Sequence, residues 1–140
     1  MPERLKTMDH HHLLRAIIIG ECSDGPFHDK VAMGCMIINR INDKHWPNSL
    51  HEVLLQKNQF TCTGPRNFKE EMVKIYREKL WWRECDIVSW GIITGYIGDI
   101  TGGATKFYST NGNIPDWARG KEPTFEAGNH LYFKMNEGEK

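Results

Sequence analysis

The sequence predicts one α+β domain over residues 1–140, mainly helical, with a small antiparallel β-element near the C-terminus. Three observations lead there. Apolar residues recur at helical spacing in successive segments from Leu13 to Ile97. Beyond the glycine-rich stretch 98–103, the chain becomes short-patterned and aromatic-rich, as paired strands are. No internal repeat, low-complexity tract or long linker divides it.

The elements follow in order. Asp9 is a suitable N-cap for a helix running to about Glu21, with Leu13, Leu14, Ile17 and Ile18 as its buried stripe. The turn-like run Ser23-Asp24-Gly25-Pro26 ends it. Residues 29–41 contain VAMGCMII, too long for one strand and apolar nearly all round, so a central buried helix is expected. Gly34 within it lowers helix propensity and lets another element approach closely. Ser49-Leu50-His51-Glu52 has the capping-box pattern and starts a short helix through Leu55. Asn67-Phe68-Lys69-Glu70 suggests another start, leading to a helix that ends near Trp82. Residues 86–97 supply a further helix through Ile87, Trp90, Ile93 and Ile97. Segments 104–109 and 130–134 read as the paired strands, and residues 136–140 as a frayed tail.

Composition narrows the function classes. Eighteen Lys and Arg balance eighteen Asp and Glu. That neutrality gives no electrostatic reason to expect nucleic acid or an anionic membrane as partner. Cys22, Cys35, Cys62 and Cys85 form no Cys-x-x-Cys pair, against a zinc ribbon or a redox dithiol; free thiols are expected, with Cys35 in the core. The run LLRAIIIG is short and broken by Arg15, so neither a signal peptide nor membrane insertion is expected.

Glu21 is the most informative single residue. It falls four residues after Ile17 and three after Ile18, and so projects from the apolar stripe. A carboxyl group leaving water favours its neutral form, which suits a general acid that must deliver a proton to a leaving oxygen. Asp24, Asp29, Asp99 and Asp116 are possible second carboxylates, but none shares that stripe, and Asp99 in its glycine-rich turn reads as a turn former. Trp81, Trp82, Trp90 and Phe68 have core-like helical spacing, whereas Phe60, Phe107, Tyr108 and Trp117 lie in turns or strand edges where a ring could stack on a sugar. Gln59 and Thr61 flank Phe60 and could hydrogen-bond acetamido groups, and the glycines beside Ala104, Gly103 among them, admit a close backbone approach. His130 reads more readily as a buried structural histidine than as a catalytic one. His10-His11-His12 is not a metal site, because consecutive helical side chains fan around the axis; it reads as a solvated helix start. No metal and no cofactor are expected.

These signals, taken in order, resemble the catalytic domain of the SleB-type spore cortex-lytic cell wall hydrolases, a bacterial and phage family. The carrying pieces are the helix ending in Glu21, Gly25, VAMGCMIINR over 31–40, Pro47, Val53 and Asn58-Gln59-Phe60-Thr61-Cys62. Gly98-Asp99-Ile100-Thr101-Gly102-Gly103-Ala104, Phe107-Tyr108, Trp117 and Gly128-Asn129-His130-Leu131-Tyr132-Phe133 complete the set. Together they span nearly the whole chain. The resemblance implies a lysozyme-like (transglycosylase-like) fold cleaving glycan strands between N-acetylmuramic acid and N-acetylglucosamine, with Glu21 at the position of the catalytic glutamate. At Phe60, Phe107, Tyr108 and Trp117 it implies a sugar-binding groove; Gln59, Thr61, Gly103, Ala104 and His130 are the further residues expected to contact substrate. The chain departs from the family's usual pattern at Cys22-Ser23-Asp24-Gly25 and Asp99-Ile100-Thr101, which bears on subsite preference more than on bond type.

One carboxyl suffices if the substrate supplies the nucleophile, and the 6-hydroxyl of muramic acid can close onto its own C1. The expected chemistry is therefore that of a lytic transglycosylase. A hydrolytic muramidase with a second carboxylate is the alternative. A cysteine peptidase or amidase built on Cys22, and a glycan-binding module without turnover, are further readings. The expected partner is peptidoglycan and the expected state a monomer, reaching the wall through a holin-made hole or as part of a virion.

Overall fold

The computed structural model describes residues 9–54 and 79–136, as four helices, one 3-10 turn and three strands. Helix α1 is His10–Cys22, α2 Phe27–Ile41, α3 Leu50–Leu54 and α4 Leu80–Ile93. Strands β1 (Lys106–Ser109), β2 (Phe125–Ala127) and β3 (His130–Phe133) form one antiparallel sheet in the order β1-β3-β2. The expected class, mainly helical α+β with a small late sheet, is the class found.

The core forms where α1, α2 and α4 meet. Leu13, Leu14, Ile17 and Ile18 are fully buried, as their spacing requires, and pack with Ala32, Met33, Met36 and Ile37 of α2. The close approach expected at Gly34 is made by α4: a Cβ there would lie 2.9 Å from Ile92 Cγ1. Asp9 stands at the N-cap of α1 without a side-chain cap bond, whereas Ser49 Oγ accepts from Glu52 N–H at 3.2 Å, as a capping box does. Cys22, Cys35 and Cys85 are buried free thiols, and burial pushes Cys85 up to about 12.

Three expectations need correction. The helix expected to end near Trp82 and the one expected over 86–97 are, in their described part, a single helix that starts at Leu80 and stops at Ile93. The start expected at Asn67 and the aromatic Phe68 lie outside the described residues. The buried face of α4 is Cys85, Val88, Ser89 and Ile92, not the stripe of Ile87 and Trp90. Trp90 is 51 % exposed and lies flat on His11, ring centroids 3.9 Å apart, so its area is covered by a histidine and not by the core. The histidine run is thus not wholly solvated: His11 is buried, with Nε2 2.9 Å from Asp86 Oδ1, which also accepts from Arg15 at 2.7 Å. Burial lowers the His11 pKa, and Arg15 adds to this against the opposing pull of Asp86.

The expected strand pair is β1 with β3, in a register that sets Phe107 opposite Tyr132 and Ser109 opposite His130. The third strand, β2, was not anticipated; its three residues are too few to show an alternating pattern. The sheet is tied to the helices by Arg40 Nε, which donates to Thr105 O at 2.6 Å while its guanidinium sits over Trp46. No helix among the described residues is long and apolar enough to cross a membrane.

Candidate functional site

The last turn of α1, the 23–26 turn and one end of the sheet enclose a cleft of about 220 Å³. Its lining includes Glu21, Asp24 and Asp29 from the helical side, and Ser109, Asn111, Asn129 and His130 from the sheet. The β1 end and the β2–β3 turn are held together there by Thr110 N–H donating to Asn129 O at 2.8 Å.

Glu21 lies where the periodicity predicts. It sits in the last turn of α1, half-buried, with Oε1 shielded from solvent and the residue on the cleft wall. The apolar stripe on which it stands carries the side chain inward, while the helix end frees it to face the opening.

Beneath it lies a buried polar cluster. Asp29, 1 % exposed, joins His130 Nδ1 through Oδ2 at 2.8 Å and accepts from the Tyr132 phenol through Oδ1 at 2.6 Å. Both carboxylate oxygens are thereby engaged. The packing around them is tight: a Cβ at Gly25 would lie 2.9 Å from Asp29 Oδ2, and one at Gly128 would lie 3.3 Å from it. Gly128 also needs its φ of +56°, which side-chain-bearing residues rarely adopt. Lys30, buried beside Asp29, donates to Gly25 O at 2.7 Å and pairs with Glu84 at 3.2 Å, which fixes the turn after α1.

Cys22 Sγ stands 4.0 Å from His130 Nδ1 and 3.9 Å from Asp29 O. This is not the arrangement of an activated thiol. The nitrogen nearest the sulfur is the one already engaged by Asp29, whereas a relay needs the two ring nitrogens to serve different partners. Burial pushes the Cys22 thiol well above its usual range, and the negative charge of Asp29 adds to that. Cys22, Asp29 and His130 are also of metal-ligating types, with ligand atoms all within 4.8 Å of one another.

The remaining residues expected at the site are placed as follows. His130 lines the cleft and is buried, with Phe107 edge-on to its ring at 5.4 Å. Tyr108 stacks on Phe133 at 5.6 Å and Trp117 meets that ring edge-on at 5.2 Å, and neither lines this cleft. The reason is the strand period: Phe107 and Tyr108 are adjacent and must point to opposite faces of the sheet. Ala104, expected to bear on the substrate, is fully buried and its carbonyl accepts from Asn39 Nδ2 at 2.9 Å, so it offers no surface. Gly103 N–H donates to Asp99 Oδ2 at 2.8 Å, and Asp99 Oδ1 accepts from Thr101 N–H and Oγ1. Asp99 is thus the turn former its setting suggests. Gln59, Phe60 and Thr61 lie outside the described residues. Asp116 is exposed and pairs with Arg119 at 3.2 Å, away from the cleft lining.

Sequence reasoning missed Tyr132 as a partner of Asp29, and Ser109, Asn111 and Asn129 as cleft residues. The only signal was the short polar turn at Gly128-Asn129 before an aromatic strand.

Comparison with known proteins finds relatives of this fold. The family described as cell wall hydrolase matches residues 24–133, beginning just after Glu21. The catalytic domain of the Bacillus cereus SleB protein superposes with a TM-score of 0.71 at 18% identity, covering 96% of this chain and 93% of that one. The catalytic domain of the germination-specific lytic transglycosylase SleB from Bacillus anthracis gives a TM-score of 0.71 at 18% identity, covering 96% of this chain and 100% of that one. The fold is therefore that of the SleB catalytic domain, lysozyme-like in class. No curated protein sequence matches.

Proposed function

The chain belongs to the cell wall hydrolase family, and from that premise we propose that it cleaves peptidoglycan between N-acetylmuramic acid and N-acetylglucosamine as a lytic transglycosylase, with Glu21 as its single acid and base. The observation that carries this reading is the position of Glu21: one carboxyl oxygen is withheld from water while the residue faces a polar cleft. Withholding a carboxyl from water favours its protonated form, the form that an acid catalyst delivers.

In the proposed reaction, Glu21 gives its proton to the glycosidic oxygen as the bond from that oxygen to C1 of muramic acid breaks. The 6-hydroxyl of the same sugar then bonds to C1, and its proton passes to the Glu21 carboxylate. The products are a 1,6-anhydromuramyl end and a free 4-hydroxyl on N-acetylglucosamine, with Glu21 regenerated. Intramolecular attack needs no positioned water and therefore no second carboxylate. Asp29 fits this account, because both its oxygens are taken by His130 and Tyr132. Asn111, Asn129 and Ser109 supply donors and acceptors suited to acetamido and hydroxyl groups.

A hydrolytic muramidase is the second reading, supported by one observation: Asp24 is exposed and lines the same cleft as Glu21. Inverting hydrolysis would use it to activate water. Mass spectrometry of fragments released from purified sacculi separates the two. Anhydromuramyl ends are expected; reducing muramic acid ends would overturn transglycosylation in favour of Asp24-assisted hydrolysis.

A further inference from the structure

Cys22, Asp29 and His130 come from the end of α1, the start of α2 and the start of β3, yet their ligand atoms all lie within 4.8 Å of one another. They are 2 %, 1 % and 7 % exposed, and all three touch the cleft. We propose that these three side chains form a binding site for a divalent, borderline-soft metal ion such as zinc, with its fourth position open to the cleft.

The donor set is one sulfur, one imidazole nitrogen and one carboxylate oxygen, the ligand types that zinc takes in three-ligand open sites. Charge favours the ion as well. A thiolate and a carboxylate together cancel a 2+ charge, so the occupied site is neutral, as a buried site needs. A tetrahedral ion with bonds of about 2.0–2.3 Å holds its ligands roughly 3.3–3.8 Å apart. The present separations are 2.8 Å between His130 and Asp29, 4.0 Å between His130 and Cys22, and no more than 4.8 Å between Cys22 and Asp29, so closing on one ion takes shifts of about 1 Å or less. On binding, Cys22 releases its proton to solvent, and His130 offers an unprotonated Nδ1 to the ion with its ring proton on Nε2.

The surroundings are those of a supported ligand shell. Tyr132 holds the other oxygen of Asp29 at 2.6 Å and so orients the carboxylate. Glycine at 25 and 128 keeps any side chain off Asp29 Oδ2, which a Cβ at either position would crowd, at 2.9 and 3.3 Å. The site does not depend on which bond Glu21 acts upon.

Cobalt(II) added to the purified, metal-stripped chain tests it, because a cobalt–thiolate bond has a distinctive near-ultraviolet absorption. The expected result is one equivalent bound with that absorption, abolished in Cys22→Ser, and displaced by zinc. Tyr132→Phe is expected to weaken binding by about 10- to 100-fold, as the loss of an outer-shell partner does. A His10→Ala, His12→Ala double variant is expected to bind as the parent does. If Cys22→Ser does not fold, anomalous scattering from a zinc-soaked crystal of the unaltered protein decides, with a peak expected among the three side chains. No thiolate absorption, binding that survives Cys22→Ser, or binding lost with His10 and His12 would each overturn the site.

Discussion

Tyr132 on β3 donates its phenol hydrogen to Asp29 Oδ1 on α2 across 2.6 Å, and so ties the sheet to the helices at the floor of the cleft. Both groups are buried, and Asp29 has His130 as its other side-chain partner. The bond joins positions 103 residues apart.

Tyr132→Phe keeps the ring and removes the donor, leaving a buried carboxylate oxygen short of a partner. The expected loss of stability is about 1–3 kcal/mol, read from urea unfolding at neutral pH. A midpoint unchanged from the parent would show that the bond is not formed in solution.

Gly34→Val places a branched side chain where a Cβ already meets Ile92 Cγ1 at 2.9 Å and Ile18 Cδ1 at 3.7 Å. Overpacking of a close-packed core costs about 1–3 kcal/mol, more than the modest helix-propensity gain of replacing glycine. A lower thermal midpoint is expected. Gly34→Ala should suffer less, because it gains the larger helix propensity for the smaller intrusion.

Asp99 gives a pH dependence with a definite sign. Desolvation raises its pKa, but hydrogen bonds from the Thr101 side chain and from Thr101 and Gly103 N–H groups outweigh this and leave it lowered. A lowered folded value means that Asp99 stabilises the fold above its unfolded pKa of about 3.9 and stops doing so as pH falls through the folded value. Asp99→Asn is therefore expected to be less stable than the parent at pH 7, with the gap closing below about pH 4. A gap that stays constant down to acid pH would contradict the assignment.

Much of this structure is legible before folding because it is local. The stripe Leu13, Leu14, Ile17 and Ile18 sets the phase of α1, and that phase alone carries Glu21 to the cleft wall. The phase of α4 was misread because Ile87 and Trp90 are large and apolar yet exposed, and Trp90 finds its cover on His11. What could not be read is what topology brings together. Asp29 meets His130 and Tyr132 across 101 and 103 residues, and no spacing rule reaches that far. The opposite faces of Phe107 and Tyr108 follow from strand alternation, but which face meets the cleft depends on how the sheet docks on α2.

The measurement closest to the central claim is release of glycan fragments from purified sacculi by Glu21→Gln beside the parent, with folding of both followed by circular dichroism. Glutamine keeps the shape and hydrogen-bonding reach of the side chain but cannot surrender a proton to the leaving oxygen. The account predicts a native spectrum with turnover lowered at least about 100-fold, the scale of losing a general acid. Parental turnover in a folded Glu21→Gln protein would contradict it.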